Sequence, residues 1–384
     1  MKKGLLLSVV ASGLIYAGGD IAPVEPVQPT VAPAACDFWG QIGVRLDAQK
    51  DGNGVNKFFK GDGTTRLNVV LGVEKEVGYG FGFGAEVAGL LTRNDKLKTK
   101  ATEPRERAEL SQLYITYKAG NTAIKVGRQA LPKAVSPLAW SDRTLGVLDL
   151  AFNGVTIVNT DIQDTTLVAA WIKSVTLRST SNNIGKNGVF MLGAINKSIE
   201  NTTLSFAAYY TKDHLLPGNF VSVWAAAQTK VSSVDLGLQV AYAKHKALTK
   251  TIGVAGYIGT KYNDFDAKLT LAYINDGTTP INLGTTSGFW GGTFGGVFGG
   301  NVNAAAGKQK IARLDLGYKL PNNYGKIYGG VAADKPDNGK TAVAARVGYD
   351  FKVMDVNAKV EYRYHKDFGG VKHHRVRVQG VYKF

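Results

Sequence analysis

The chain has 384 residues and a formal net charge of +16, with 47 glycines and 17 tyrosines against 11 prolines and 3 methionines. Its mean hydropathy is -0.08, and beyond the N-terminus no apolar run approaches the ~20 residues that a membrane-spanning helix needs, which excludes a bundle of membrane helices. This composition favours many strands joined by turns, so we predict an all-β fold. Near-neutral hydropathy is also expected of a membrane β-barrel, because only every second residue faces lipid.

The N-terminus has the pattern of an export signal. Residues 1–17 combine two lysines, a short apolar core and a small-residue cleavage site, and we predict a cleaved signal peptide. Residues 18–36 contain four prolines and are expected to form an extended periplasmic tether. Cys36 is the only cysteine, so an intramolecular disulfide is excluded.

From residue 37 onward, segments of about ten residues alternate between apolar and polar side chains and are separated by turn-like breaks. Successive side chains of a strand point to opposite faces, so each segment has one apolar face. We predict about eighteen strands, with sixteen as the alternative. The predicted strands are 38–48, 67–74, 81–91, 109–118, 122–129, 150–159, 165–176, 188–198, 202–212, 220–230, 234–245, 252–261, 266–275, 310–319, 324–332, 341–351, 357–365 and 373–384.

The connections alternate in length. Short ones, such as 78–80, 119–121 and 231–233, lie between connections that are often much longer, such as 93–108 and 276–309. Outer-membrane barrels have short periplasmic turns and longer extracellular loops, and closure leaves no unpaired strand edge in lipid. We therefore predict a transmembrane antiparallel β-barrel over 37–384.

Assigning the more apolar face of each strand to lipid leaves an inner face rich in cations. A charge on the lipid face costs up to ~2–4 kcal/mol at the midplane, and rings of Arg or Lys in a lumen favour anions. The alternative is that these charges only hydrate and pair. The inward cations are predicted to be Arg45, Arg66, Lys125, Lys268, Arg313, Lys326, Arg346, Lys359, Arg363, Arg375 and Arg377. The inward acids are predicted to be Asp47, Glu74, Glu76, Glu86, Asp315, Asp350 and Glu361.

Catalytic and metal signatures are absent from the sequence pattern. The five histidines have no H-x-x-x-H spacing, and His373-His374 are interpreted as solvated rim residues. The glycine-rich segment 288–300 lacks the Lys-Ser/Thr ending of a phosphate loop and is interpreted as a packed or partner-facing surface element. We expect no catalytic site, no metal and no cofactor.

One hairpin carries a family resemblance. The order Leu110-Ser111-Gln112-Leu113-Tyr114 followed by Val126-Gly127-Arg128-Gln129 resembles the corresponding hairpin of bacterial porins, whose third loop folds into the lumen. This resemblance implies that loop 130–149 narrows the lumen. It places Arg128 at the constriction wall and Asp142, Arg143 and Asp149 on the loop. Strict alternation would instead put Arg128 on the lipid side, unless a bulge at Gly127 redirects it.

The segment 375–384 alternates strictly except at Val381 and ends on Phe384. An aromatic residue at the end of an amphipathic strand suits a membrane–water interface. It resembles the closing strand of Gram-negative outer-membrane barrels, in which the terminal Phe acts as a membrane-insertion signal.

Together these features resemble the porin superfamily, and the strand count resembles OprD-like porins and the major outer membrane proteins of Campylobacter and its relatives. The resemblance implies a Gram-negative outer-membrane location and a homotrimer. The implied partners are outer-membrane lipid, lipopolysaccharide, the barrel-assembly machinery and small hydrophilic solutes, with no nucleic acid.

The function predicted from the sequence is passive diffusion of small hydrophilic solutes and ions through a water-filled channel, with a modest anion preference. One alternative is a substrate-specific channel for carboxylates or phosphate, for which closely spaced inward arginines would be the mark. Another is a surface adhesin or structural barrel built on loop 276–309. An outer-membrane enzyme is a third, and a gated active transporter is disfavoured because 21–35 is too short for a plug domain.

Overall fold

The structure is a computed structural model in which eighteen antiparallel strands close into a barrel. It describes residues 36–51, 63–94, 106–144, 147–148, 150–177, 180–213, 216–276, 279, 281, 308–337 and 339–384. The predicted signal peptide and nearly all of the tether lie outside these ranges and stay predictions. The barrel prediction is confirmed with eighteen strands rather than sixteen.

The barrel strands are numbered in chain order. They are β1 Asp37–Asp51, β2 Gly63–Gly78, β3 Phe81–Asn94, β4 Glu106–Ala119, β5 Thr122–Gln129, β6 Leu150–Asn159, β7 Thr165–Leu177, β8 Val189–Asn196, β9 Thr202–Lys212, β10 Asn219–Val231, β11 Val234–His245, β12 Thr251–Tyr262, β13 Phe265–Ile274, β14 Gln309–Leu320, β15 Gly325–Pro336, β16 Ala342–Val353, β17 Val356–Lys366 and β18 Lys372–Lys383.

Closure is made by the first and last strands. Strand β1 pairs with β18 from Gln41↔Lys383 to Asp51↔His373, and on its other side with β2. Every other strand pairs with its two neighbours in sequence, so the described ladder has no open edge. In lipid this matters because an unpaired backbone N–H or C=O has no water to bind.

Three short strands lie outside the ring. Arg143–Thr144 pairs with Val147–Leu148 within the third loop, and Thr180–Asn183 extends β7 beyond the barrel. Pro321–Asn323 forms one 3₁₀ turn. Among the described residues, no helix is long and apolar enough to cross a membrane.

The short connections are tight turns that require left-handed backbone. Tyr79, Ser232 and Asn263 have φ of 53°, 55° and 50°, and Asn201 and Met354 adopt similar values. A two-residue hairpin between twisted strands favours positive φ at its central residues. The short turns thus collect at one end and the longer connections at the other, as the spacing predicts.

The outward face of the barrel is apolar and uncovered. Leu113 is 52% exposed, Leu238 55%, Leu271 55% and Val347 52%, and each alternates with buried or half-buried neighbours along its strand. Soluble monomers rarely expose a contiguous apolar surface of this extent. It fits the acyl chains of a bilayer.

Strands β4 and β5 approach each other closely at Gly127. Its φ is +129°, and a Cβ there would overlap the carbonyl oxygen of Leu113. Only glycine fits this combination of backbone angle and contact. No register shift accompanies it, because Leu113, Tyr114 and Ile115 pair in order with Arg128, Gly127 and Val126.

We expect Gly127→Ala to destabilise the barrel by roughly 1–3 kcal/mol, because the methyl group meets Leu113 and the backbone is strained. Heat-modified migration of the folded barrel in detergent gels measures this as a lower unfolding temperature. Gly120→Asn is the matched control, since Gly120 has φ +55° and no atom lies within 4 Å of the position that a Cβ would take. Equal stability of the Gly127→Ala protein would contradict the prediction.

Candidate channel lumen and constriction

The third loop folds into the barrel and is held by an apolar anchor. Leu131, Val135 and Leu138 are 2%, 8% and 0% exposed and join one hydrophobic cluster with inward side chains of the wall. The wall members of this cluster include Val168, Ala170, Ile172, Val189, Met191, Ala207, Tyr209, Phe220, Trp224, Ala226, Ala241, Ala243, Ala255 and Ala272. The loop therefore shares one apolar cluster with the inner face of β7 to β13.

Tyr209 gives this anchor a polar contact. Its hydroxyl accepts a hydrogen bond from the Leu138 backbone N at 3.2 Å and lies 3.1 Å from Ser136 Oγ. Ser136 Oγ also donates to the Ala139 carbonyl at 2.6 Å. All of these side chains are buried, so the loop cannot leave the wall without exposing apolar surface and breaking these bonds.

Further along, the same loop is fixed to a different part of the wall by an ion pair. Arg143 donates to both carboxylate oxygens of Glu86, Nη2 to Oε2 at 2.6 Å and Nη1 to Oε1 at 3.1 Å. Glu86 is 1% exposed and also accepts a bond from Gln112 Nε2 at 2.9 Å. Trp39 lies beneath the guanidinium, with its ring centre 5.7 Å from Arg143 Cζ.

Next to this pair, Val147 packs into a second cluster with Val70 and Ala88 on β2 and β3. The loop therefore has two attachments, one on β7 to β13 and one on β2 and β3. Because these parts of the wall are separated around the ring, the loop crosses the lumen and narrows it.

Two charges of the loop face the lumen. The ammonium of Lys133 lies 5.6 Å from the ring centre of Trp140 and is close enough to Arg313 and Asp142 to feel their charges. Reduced hydration inside the barrel is the main cause lowering the pKa of Lys133, followed by the positive charge of Arg313, while Asp142 opposes the shift. Asp142 itself is exposed. Asp149 lies outside the described residues, so its predicted place on the constricting loop stays a prediction.

The opposite part of the wall, from β14 to β18 and on to β1 and β2, carries the inward arginines. We call this set the arginine wall; it consists of Arg45, Arg66, Arg313, Arg346, Arg363, Arg375 and Arg377. The exposed fraction of the side chain is 8% for Arg45 and 27% for Arg313. These residues alternate with outward side chains such as Val44, Val347 and Val378.

Strand register arranges the arginine wall in rows. Arg346 pairs with Arg363, and Arg363 pairs with Arg375, so three arginines are neighbours across β16, β17 and β18. Arg45 pairs with Arg66 across β1 and β2. Like charges directly opposite each other destabilise a sheet, which indicates that carboxylates or solvent must offset them.

Three carboxylates bind the arginine wall. Asp47 accepts a hydrogen bond from Arg377 Nε at 2.8 Å. Arg45 Nε lies 2.8 Å and Arg375 Nε lies 3.6 Å from the carboxylate oxygens of Asp47. Asp315 and Glu361 hold the remaining pairs. Their contacts are Arg313 Nε at 2.6 Å and Arg346 Nη2 at 2.8 Å to Asp315, and Arg363 Nε at 2.5 Å to Glu361. The arginines outnumber these carboxylates, so the wall keeps a positive excess.

Two inward lysines lie over tyrosine rings. Lys125 Nζ is 3.7 Å from the ring centre of Tyr114, and Lys268 Nζ is 3.6 Å from that of Tyr257. The Tyr114 hydroxyl in turn donates to Glu74. These cation–π contacts fix the ammonium groups against the wall while keeping their charge.

Arg128 lies elsewhere than the porin resemblance implies. Since alternation is unbroken through Gly127, Arg128 shares the outward face with Val126, and the expected place at the constriction wall is wrong. Its guanidinium donates from Nη1 to the Leu110 carbonyl at 2.8 Å and from Nε to Asn153 Oδ1 at 3.2 Å. The glycine permits a close strand approach rather than a bulge.

Phe384 belongs to the seam between β1 and β18. Its backbone exchanges two hydrogen bonds with Gly40, at 2.8 and 3.0 Å, and its ring occupies the space where a Gly40 side chain would lie. The ring of Tyr382 stacks beside the Phe384 ring, with 5.8 Å between the ring centres. The role of Phe384 as a membrane-insertion signal stays a prediction.

The rim histidines are engaged with other side chains. His373 Nε2 lies 3.2 Å from Asp367 Oδ2, and His374 Nδ1 lies 2.7 Å from the Tyr362 hydroxyl. Within the described ranges, no group of three or more His, Cys, Asp or Glu side chains is placed to hold a metal ion.

The start of loop 276–309 also enters the barrel. Ile281 is 0% exposed in the main cluster, and its carbonyl accepts a bond from Ser222 Oγ at 2.8 Å. The glycine-rich segment 288–300 lies outside the described residues, so its interpretation as a surface element stays a prediction.

Sequence reasoning missed the apolar inner wall. It treated the lumen as polar throughout, whereas the inner face of β7 to β13 is lined by alanines and larger apolar side chains under the loop. The available signal was the small residues at inward positions of these strands, such as Ala207, Ala241 and Ala243. Their size leaves room for a packed segment inside the barrel.

Several solved structures share this fold. No protein-family model matches the sequence, and no curated protein matches it. Solved structures do match. Acinetobacter baumannii OccAB4 superposes with a TM-score of 0.72 at 11% identity, over 92% of this chain and 98% of that chain. Pseudomonas aeruginosa OccK1 (OpdK) superposes with a TM-score of 0.70 at 14% identity, over 91% of this chain and 98% of that chain. Pseudomonas aeruginosa OccD3 (OpdP) superposes with a TM-score of 0.68 at 12% identity, over 94% of this chain and 95% of that chain.

These structures are eighteen-stranded outer-membrane porins of the OprD/Occ type, from Pseudomonas and Acinetobacter. The predicted resemblance to OprD-like porin architecture is confirmed at the level of the fold. At identities of 10–14% the likeness carries no residue of the lumen across. The charge and shape of the lumen therefore depend on this chain's own side chains.

We expect Arg143→Gln to release one attachment of the third loop. Removing one partner of a buried pair costs on the order of 3–5 kcal/mol, because Glu86 is left buried without its cation. Single-channel recording should then show a larger and noisier conductance. Arg143→Lys keeps the charge but not the two parallel hydrogen bonds, so its conductance should lie between that of the unaltered protein and that of Arg143→Gln.

Tyr209→Phe tests the other attachment of the loop. Losing the hydroxyl leaves the Leu138 N–H and Ser136 without this hydrogen-bond partner, which costs roughly 1–3 kcal/mol of loop attachment. Because the loop is then held less firmly, the noise of the single-channel conductance should rise as well. Combining Tyr209→Phe with Arg143→Gln should increase the conductance beyond either single change. A conductance equal to that of the unaltered protein in the combined variant would show that the loop does not set the cross-section.

Proposed function

We propose that the chain forms a water-filled channel in the Gram-negative outer membrane, through which small hydrophilic solutes and ions diffuse passively, with anions favoured over cations. The fold is that of outer-membrane porins, which are channels rather than enzymes. The observation that carries the anion preference is the arginine wall facing the third loop across the lumen.

The field in the narrowed lumen follows from the imbalance of charges. Asp47, Asp315 and Glu361 each bind one or more arginines, so no carboxylate of this group is left to attract a cation on its own. Lys133 adds a positive charge from the loop side, offset by the exposed Asp142. A lumen with low-dielectric walls focuses such a field and raises the local concentration of the opposite ion.

A second function, a channel specific for carboxylates or phosphate, is favoured by one observation. Arg346, Arg363 and Arg375 are register neighbours on three successive strands, so an anion released by one guanidinium finds another within reach. Guanidinium groups bind carboxylate and phosphate with two parallel hydrogen bonds, which ammonium groups cannot do. Such a row would pass these anions on stepwise.

The adhesin or structural-barrel alternative rests on loop 276–309. Deleting 285–305 separates the candidates, because a porin keeps its conductance while an adhesin loses its binding. Export by the signal peptide, assembly by the barrel-assembly machinery and a homotrimer are part of the same proposal and rest on the porin-like fold.

The anion preference predicts that, in a planar bilayer under a KCl gradient, the reversal potential of the current is shifted towards the equilibrium potential of chloride. Replacing Arg346, Arg363 and Arg375 by Gln should move that potential towards zero, because three lumen charges are lost. The matched control replaces the outward-facing Lys212, Lys244 and Lys310 by Gln, which removes the same charge from the lipid side. A potassium-side potential, or equal shifts in both variants, would contradict the assignment.

Carboxylate specificity predicts that a dicarboxylate such as succinate blocks the chloride current more strongly than acetate at equal ionic strength. Arg363→Lys should keep the reversal potential but weaken this block, because the charge stays while the paired geometry is lost. Unchanged block in Arg363→Lys would leave the general porin as the function.

A further inference from the structure

The lipid-facing surface of the barrel carries cations at the end where the long loops lie. They are found on β5, which precedes the third loop, and on β7 to β11, which follow it. We call this set the basic patch; it consists of Arg128, Lys173, Lys186, Lys212 and Lys244. Lys173 Nζ donates to the Lys186 carbonyl at 3.2 Å, and the Lys186 backbone N donates to the Lys212 carbonyl at 2.8 Å. These contacts join β7, β9 and the connection between β7 and β8 in one surface.

The outward direction of the patch follows from strand register. Arg128 pairs with Leu113, which is 52% exposed on the outer face. Lys212 follows the outward Tyr210 by two residues, and Lys244 pairs with the outward Val221. Lys186, Lys212 and Lys244 are exposed, so their ammonium groups are accessible from outside the barrel.

An aromatic row lies directly below the patch. Trp171 pairs with Phe190, and Phe190 pairs with Tyr210, so three aromatic side chains are neighbours across β7, β8 and β9. Their exposed fractions are 39%, 51% and 43%. Aromatic girdles mark the membrane–water interface of barrels. The basic patch therefore lies at headgroup height, just outside the acyl region.

The charge of this surface is one-sided. Among the described outward positions at the loop end of β5 to β11, none is Asp or Glu. The nearby Asp213 uses Oδ1 to accept the Gly218 backbone N at 2.8 Å. At the turn end, the register pairs Lys230–Asp235 and Lys261–Asp266 lie on the inward face of their strands and add no charge to the lipid-facing surface.

We propose that the basic patch binds the phosphate groups of lipid headgroups in the leaflet at the loop end of the barrel. The proposal rests on the outer-membrane location given under the proposed function. Lysine ammonium groups bind phosphate as point charges, while Arg128 is held in place by Leu110 and Asn153. The aromatic row beneath supplies the acyl contact that a free phosphate ion would not use.

Binding of lipid A to the purified full-length protein in neutral detergent tests the proposal, with dissociation constants read by native mass spectrometry. Diphosphorylated lipid A is the probe and its dephosphorylated form the comparison. Replacing Lys173, Lys212 and Lys244 by Gln should weaken binding by about fivefold per charge, on the order of a hundredfold in total. The control with equal charge loss replaces by Gln the residues Lys118, Lys230 and Lys261, which share the inward face of the barrel at its turn end and do not face lipid.

Three results would overturn the proposal: equal binding of dephosphorylated lipid A, equal loss in the turn-end control, or full competition by inorganic phosphate at the same phosphate concentration. Planar-bilayer conductance of the patch variant separates this proposal from the channel. We expect the variant to keep the conductance and reversal potential of the unaltered protein. Absence of conductance in the unaltered protein would reject the channel while leaving the lipid result to stand on its own.

Discussion

The structure depends on a constraint of the bilayer, where a backbone amide without a partner has no water to replace it. Pairing of β1 with β18 meets this constraint by removing the two edges that an open sheet would have. Closure then gives every strand an inside and an outside. The sorting of charge and apolar surface between those faces, and with it the proposed channel, follows from that ring.

The interior is divided rather than uniform. Along β7 to β13 the inner face carries many buried apolar side chains in one cluster with the third loop, so this part resembles the core of a soluble protein. Along β14 to β18 and β1 it is charged and partly solvated. The Arg143–Glu86 pair and the Tyr209 contacts hold the loop between these regions. Loop position and charge distribution are thus consequences of the same arrangement.

Strand number and the inward position of the arginines could be predicted because alternation is a local property of the sequence, visible for instance in 38–48. Contacts between distant segments could not. The Arg143–Glu86 pair joins residues 57 positions apart, and no periodicity indicates which wall carboxylate a loop arginine meets. Arg128 shows the limit of resemblance, because alternation gave its face correctly where the porin comparison did not. The apolar inner wall was missed since alanine fits either face.

The division of the interior has a geometric consequence for anything that crosses it. The apolar cluster of the third loop and β7 to β13 occupies one side of the barrel, and the arginine wall lies on the other. A molecule crossing the proposed channel would meet guanidinium groups on one flank and the loop on the other. In the proposed channel, an elongated anion with an uncharged end would experience a torque in this asymmetric field and would cross in one preferred orientation instead of tumbling.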